Sequence, residues 1–532
     1  MLVDHLDKGA SLGPAEPCLV MGDQVLSYAD VQALSHRVAG ALHRDGVRAG
    51  DSVAVLSAND PVAFATVFGI SRAGAVWCPV NPRNEAEENR AQLELFGCVA
   101  LVFQAAFAPL VTAIAPLLPA LRVLVSLDDD SPLGPRYDDW LASIGSSAAG
   151  LSAVESPVVG APAAGSPHRE DVPVMLVGTG GTTGTPKGVV LTDRNLETMS
   201  AITLMSYPFE GRPTYLGMAP LTHAAGVLCF PVLASGGRIV VMPKPDVGAF
   251  LALVESERVT HTFLPPTVIY AALGHPAAAT TDFSSLQCFW YGAAPMSVTR
   301  LREAIALFGP VMGQLFGQSE APMMVTTLSP AEHLRPDGSL AEERLASAGH
   351  PGPLVTVGVM AADGSLLPTG ERGEIVVRSS LVMAGYHRNP EATAEASAFG
   401  WHHTGDIGFL DDDGFLFIVD RAKDMVITGG FNVYSTEVEQ ALMQHPAVAD
   451  CAVIGLPDDT WGERVTAVVQ LRPGQSVDGP TLSAFVKERL GSVKAPKQVE
   501  VWPDLPRSKV GKVLKSEIRG VLLPAAQGPT AG

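Results

Sequence analysis

Cysteine is scarce in this chain and scattered along it. Its 532 residues include six, Cys18, Cys78, Cys98, Cys229, Cys288 and Cys451, and no two form a CxxC pair. That excludes a disulfide framework and a thiolate zinc site, and leaves small core residues in a reducing compartment. Basic residues are also in short supply, with 36 Lys and Arg against 55 Asp and Glu and a net charge of −19. That argues against a general nucleic-acid or membrane-surface binder, and any phosphate ligand must be held by a local cluster. Long apolar runs are missing as well: no uninterrupted stretch reaches membrane-span length, and the opening MLVDHLDKGASLG has neither a basic nor an apolar leader region. The expectation is no integral membrane segment and a cytoplasmic location. What the chain does have is length and apolarity, 47% of residues being hydrophobic. That is ample for a large core and too long for one domain.

The most informative stretch is VGTGGTTGTPKG at residues 177–188. It follows an apolar run at 172–177 that reads as a buried strand, and precedes 191–202, which reads as a helix opening near Asp193. A glycine- and hydroxyl-rich loop in that setting is a phosphate cradle. Gly180, Gly181 and Gly184 let backbone approach an anion, and Thr179, Thr182, Thr183 and Thr185 offer hydroxyls. Lys187 adds a point charge. The loop is not a Walker A, because Pro186 stands before Lys187 where that pattern needs glycine, and GxGxxG also fails.

Short apolar runs alternate with helical stretches from Ser52 to Leu127, and again from Val172 to about Phe316. This alternation predicts βαβ units on parallel sheets. Between the two series, 145–167 is rich in Ala, Ser, Gly and Pro and reads as a surface connector. Strand-like runs dominate from Val355 to Ile418, predicting a small β subdomain. A charged break follows, Asp420-Arg421-Ala422-Lys423-Asp424, and beyond it a compact α+β unit with helices over 436–443 and 481–490. The fold class expected is α/β: a large N-terminal domain of βαβ sheets plus a β subdomain, and a small mobile α+β C-terminal domain. The boundary is set at the break, giving 1–420 and 421–532. The tail from Pro524 reads as frayed.

The loop resembles the signature of the adenylate-forming superfamily, which spans acyl- and aryl-CoA synthetases, peptide-synthetase adenylation domains and luciferases. Six further stretches match that family in its own order: PLTH at 220–223, YGAAP at 291–295, FGQSE at 316–320, HTGD at 403–406, DRAKDMVITGGFNVY at 420–434 and PRSKVGK at 506–512. Together they cover most of the chain. The resemblance implies ATP, Mg²⁺ and CoA as the ligands, CoA being a substrate.

The resemblance also assigns roles that the residues taken alone do not settle. Glu320 would be an ordinary surface carboxylate without it; with it, Glu320 and Thr182 are the metal anchors, because a hard cation takes oxygen ligands and bridges phosphates. Asp406 would accept from both ribose hydroxyls and Arg421 would share ribose or phosphate, where the plain alternative is an ion-paired loop. Gly292, Ala293 and Ala294 would read the adenine edge, or simply form a turn. Phe316, standing where the family often has Tyr, would pack on the base beside Gly317, Gln318 and Ser319. Lys512, in a basic stretch with Arg507, Lys509 and Lys515, would be the adenylation lysine. Lys423 matches the hinge, and Gly429 and Gly430 the lining of the pantetheine tunnel. His223 is read equally as an acyl-pocket gate and as a pocket-wall histidine. Val227, Phe230, Tyr291, Phe316 and Met323 are the expected walls of an apolar acid pocket. GQSEA is not a nucleophile elbow, since its fifth residue is Ala321, so a serine hydrolase is disfavoured.

The resulting expectation is an ATP-dependent acid–thiol ligase. It makes an acyl-adenylate and then an acyl-CoA thioester from a fatty, alicyclic or aromatic acid. The partners are that acid, ATP and CoA, with a homodimer left open. The alternatives are an enzyme that loads a carrier protein, an enzyme similar to ATP-dependent diazotases that activate nitrite for an aryl amine, and a non-catalytic nucleotide-binding protein.

Overall fold

The computed structural model describes residues 1–142, 171–179, 187–221, 224–458, 460–508 and 513–523. The expected connector at 145–167 and the tail from Pro524 lie outside them. Among the described residues the chain forms four sheets.

A seven-stranded sheet takes up the first alternating series. Its order is Gly385–Tyr386, Lys187–Thr192, Pro173–Thr179, Val76–Val80, Ser52–Leu56, Ala100–Phe103 and Val123–Ser126. The last five pair in parallel, as the alternation predicts, and the two at the other edge pair antiparallel. The nine-stranded second sheet has a parallel centre that includes Thr214–Gly217, His261–Leu264, Cys288–Gly292 and Met312–Phe316. Helix starts follow ordinary capping chemistry. Before Pro61–Arg72, Asp60 Oδ1 accepts from the backbone N–H of Val62 and Ala63 at 2.8 and 2.9 Å, and Pro61 fills the first position, where no N–H is needed.

The strand after the glycine-rich loop corrects the sequence reading. Residues 187–192 are not the lead-in to a helix. They form the strand Lys187–Thr192, paired antiparallel with Pro173–Thr179 in the register Val177↔Val189, Gly178↔Gly188 and Thr179↔Lys187. The helix begins at Asp193, where the sequence placed its opening, and is capped by Thr192, whose Oγ1 accepts from Asn195 N at 3.3 Å. The β-branched pair Val189-Val190 suits a pleated surface, and its hydrogen-bond partners lie on the preceding strand. The loop therefore closes a hairpin, and no helix N-terminus follows it directly.

The apolar core falls in three layers. The largest lies between the two sheets and holds helices from the N-terminus, the first series and the region around Leu228. A second backs the nine-stranded sheet, and a third backs the seven-stranded one. Burial on both strand faces explains the near-continuous apolar runs. The β subdomain is a four-stranded antiparallel sheet that includes His402–Leu410 and Leu416–Arg421. Arg421 is thus still a strand residue. The next strand, Val426–Thr428, belongs to a separate five-stranded sheet with its own core. The helices there run Ser435–Leu442 and Gly479–Lys494, close to the expected spans. None of the described helices is long and apolar enough to cross a membrane.

Candidate active site

The candidate site gathers where adjacent parallel strands of the nine-stranded sheet end. Strand Cys288–Gly292 lies beside Met312–Phe316 in the register Gly292↔Leu315. Loops leaving the carboxyl ends of parallel strands are where α/β sheets bind ligands. Ala293 turns the chain with φ 65. Gly292 must be glycine, since a Cβ there would sit 2.3 Å from the Leu315 carbonyl oxygen. Gly317 is similarly tight, with the Met323 nitrogen 2.4 Å from where a Cβ would be. Gln318 N donates to Ala321 O at 2.9 Å, closing the turn that carries Ser319 and Glu320. Phe316 and Met323 are half-buried, and both pack against the inter-sheet core.

Asp406 reaches this turn from the β subdomain. It is 3% exposed, and its carboxylate is held from two sides. Arg421 Nε, in register across the hairpin, lies 2.7 Å from Oδ1. Gln318 Nε2 donates to Oδ2 at 2.9 Å and to Thr404 O at 2.7 Å. Asp406, Arg421 and Gln318, from three motifs, thus form one hydrogen-bonded cluster.

Glu320 is held by a segment the sequence did not single out. Met383 N donates to its backbone oxygen at 2.7 Å, and the Tyr386 hydroxyl donates to its Oε1 at 2.8 Å. The Tyr386 ring also carries the Lys187 ammonium 4.8 Å from its centroid. Burial, helped by the Glu320 charge, pushes the Tyr386 phenol well up, so it stays a neutral donor. Tyr386 was legible only as the aromatic of a short GY step, with no periodicity to mark it. Asn59 was missed as well. Its Oδ1 accepts from Leu221 N at 2.9 Å and its Nδ2 donates to Ala219 O at 3.1 Å, clamping the backbone on both sides of Pro220.

Three of the expected pocket walls are buried. Tyr291 is 1% exposed and belongs to the core behind the sheet, where its hydroxyl meets His333 Nε2 at 2.9 Å. Successive strand residues point to opposite faces, so Tyr291 turns from the inter-sheet core that holds Trp290. Phe230 is fully buried against Phe68 and His5, with ring centroids 6.4 and 5.4 Å away, and Val227 is 5% exposed in the same core. None of the three offers an open pocket wall in this structure. Gly180, Gly181, Thr182, Thr183, Gly184, His223 and Lys512 lie outside the described residues; Thr179 ends its strand at the hairpin.

Lys423 is exposed between the two sheets that meet after Arg421. Gly429 and Gly430, with φ 56 and 79, turn the hairpin between Val426–Thr428 and Phe431–Val433. A buried network ties this junction together. Asp420 accepts from Ser435 N on Oδ2 and from Ser435 Oγ on Oδ1, the latter at 2.9 Å. Lys515 Nζ donates to Ser435 Oγ at 2.6 Å and lies 2.7 Å from Glu439 Oε1. Burial pushes the Asp420 carboxyl up to about 6, against the pull of Lys515. Burial also works against the Lys515 ammonium, but Glu439 and Asp420 outweigh it and hold the lysine above its ordinary value.

A two-domain α/β chain with a glycine-rich segment between paired strands and an Asp–Arg–Gln cluster beside strand ends fits an adenylating enzyme. This chain belongs to the AMP-binding enzyme family: the family's sequence profile matches residues 6–387, and the AMP-binding enzyme C-terminal domain matches 437–512. It is 36% identical to a medium/long-chain-fatty-acid–CoA ligase, FadD8, of Mycobacterium tuberculosis, over 95% of this chain and 87% of that one. It is 37% identical to a feruloyl-CoA synthase of an Amycolatopsis species, over 96% of each. Among solved structures, the amide bond synthetase McbA from Marinactinospora thermotolerans superposes with a TM-score of 0.86 at 29% identity, covering 98% of this chain and 100% of that one.

Proposed function

We propose that this chain is an ATP-dependent acid–thiol ligase that forms an acyl-adenylate and then an acyl-CoA thioester. The observation that carries this reading is the cluster of Gln318, Asp406 and Arg421 beside the turn that carries Glu320, whose carboxylate Tyr386 joins to Lys187. A carboxylate anchored this way is suited to a vicinal diol, and the loop ahead of Lys187 to phosphates. The fatty-acid and feruloyl substrates named for the relatives support an apolar acid.

In the first half-reaction the acid's carboxylate oxygen attacks the α-phosphorus of ATP, and pyrophosphate leaves. Asp406 accepts from the ribose hydroxyls, kept in place by Arg421 and Gln318. The Gly292–Ala294 backbone meets the adenine edge, and Phe316 packs on the base. The Lys512 ammonium stabilises charge building between carboxylate and α-phosphate. Glu320 is an oxygen donor of the class a hard divalent cation takes, so it and Thr182 would hold Mg²⁺, which neutralises phosphate charge when bound. In the second half-reaction the small domain turns about Lys423 and brings Gly429 and Gly430 to the pantetheine path. The CoA sulfur then attacks the acyl carbon and AMP leaves.

A second reading has an amine in place of the thiol, favoured by the likeness to an amide bond synthetase. Pyrophosphate release across a panel of carboxylic acids, with and without CoA and with amines, separates the two. Acid-dependent release with CoA-dependent thioester formation is the expected result. Acid-dependent release with product only from amines would replace the thiol reading, and no release with any acid would overturn both.

A further inference from the structure

We propose that Tyr386 is a positioning residue for the triphosphate site: its hydroxyl holds the Glu320 carboxylate in its metal-receiving orientation and its ring seats the Lys187 ammonium. The inference rests on the reading of Glu320 as the metal anchor.

The geometry is that of one rigid side chain joining two groups from distant motifs. Tyr386 O–H donates to Glu320 Oε1 at 2.8 Å, and Lys187 Nζ lies 4.8 Å from the ring centroid. The backbone under Tyr386 is fixed from several sides. Gly385 and Tyr386 pair with Val190 and Val189 on the strand that Lys187 opens. His387 N donates to Gly188 O at 2.6 Å, and Tyr386 N donates to Thr393 Oγ1 at 2.9 Å. Asn195 Nδ2 donates to the carbonyls of Ser380 and Val382 at 2.9 and 2.7 Å, bracing the approach to the strand. The same segment grips the Glu320 backbone through Met383 N at 2.7 Å. Glu320 is thus held at both main chain and side chain by residues 383–386. A carboxylate with one oxygen engaged by a fixed donor has fewer orientations to lose when a cation arrives, which is how outer partners tune metal ligands. A cation over an aromatic face is likewise steadied without being neutralised, so it keeps its charge for phosphate.

The two functions of the ring and the hydroxyl separate by substitution. Tyr386→Phe keeps the platform and removes the donor, while Tyr386→Leu removes both. The readouts are the Mg²⁺ concentration for half-maximal pyrophosphate release, Mn²⁺ binding to the enzyme with a non-hydrolysable ATP analogue by electron paramagnetic resonance, and metal-free AMP affinity by calorimetry. Tyr386→Phe is expected to raise the Mg²⁺ requirement and weaken Mn²⁺ binding by about tenfold, with AMP affinity unchanged. Tyr386→Leu is expected to add a loss of affinity for the ATP analogue. Glu320→Gln is the reference variant. If Glu320→Gln shifts the metal readouts and Tyr386→Phe does not, the positioning role is overturned while the metal reading stands. If neither variant shifts them, the metal reading falls and takes this inference with it. A fall in AMP affinity equal to the fall in metal affinity in Tyr386→Phe would mark general loosening of the site and also overturn it.

Discussion

Gln318 Nε2 lies 2.9 Å from Asp406 Oδ2, and so links the turn after a strand of the nine-stranded sheet to the edge hairpin of the β subdomain. The buried Asp406 carboxylate owes its orientation to this contact and to Arg421. Asp406→Ala should weaken AMP binding by roughly ten- to a hundredfold, since a hydrogen bond to a charged group is worth ~1.5–3 kcal/mol. Gln318→Leu should cost less, because Arg421 still holds Oδ1. Calorimetric titration with AMP checks both; unchanged affinity in Asp406→Ala would remove it from the ribose site.

Lys512→Ala should slow acid-dependent pyrophosphate release by ~10² to 10³ while ATP still binds, since one preorganised charge at a developing anion is worth that much. Quenched-flow measurement of adenylate formation reads it directly. Near wild-type release would transfer the role to another group.

Lys423→Pro tests movement at the domain junction. Asp420 precedes Lys423 and binds Ser435, which in turn binds Lys515, so this network bridges the residue proposed as the pivot. Proline fixes φ near −65° and deletes an N–H, which stiffens a hinge. Adenylate formation should survive and thioester formation from preformed adenylate should slow strongly, in single-turnover assays of each step. Equal slowing of both, with the fold intact, would place the pivot elsewhere.

His333 supplies a stability prediction with a definite sign. Burial lowers it to about 4, and burial likewise lowers His5 to about 4 and His261 to about 3. Because the Ser329 carbonyl can only accept, the 2.9 Å contact assigns the His333 proton to Nδ1. A depressed folded value means that the unfolded chain takes up the proton first. Stability is therefore intact above the ordinary value near 6.5 and falls as pH drops from there toward 4. His333→Gln should flatten that decline by about one proton, or ~1.4 kcal/mol per pH unit, in urea unfolding at pH 7, 6 and 5. An unchanged slope would mean that His333 is protonated in the native state.

The strand and helix runs of the first alternating series, and the helices beyond the charged break, were legible because period and length reveal buried elements locally. The strand at Lys187–Thr192 was not. Six residues of mixed pattern fit a helix lead-in as well as a hairpin arm, and the hydrogen bonds of Pro173–Thr179 decided between them. Tyr291 shows the same limit: its motif placed it in the pocket, and strand alternation turned it toward His333.

The sequence by itself determined the fold class, the ordered motifs and the residue types able to meet a nucleotide, since those follow from local pattern and side-chain chemistry. Only the tertiary structure decided that Tyr386 serves both Glu320 and Lys187, that Asn59 clamps the backbone around Pro220, and that Asp406 is gripped by Gln318. Each of these joins residues far apart in the chain, and such pairings are fixed by sheet register and loop closure, which no local pattern encodes.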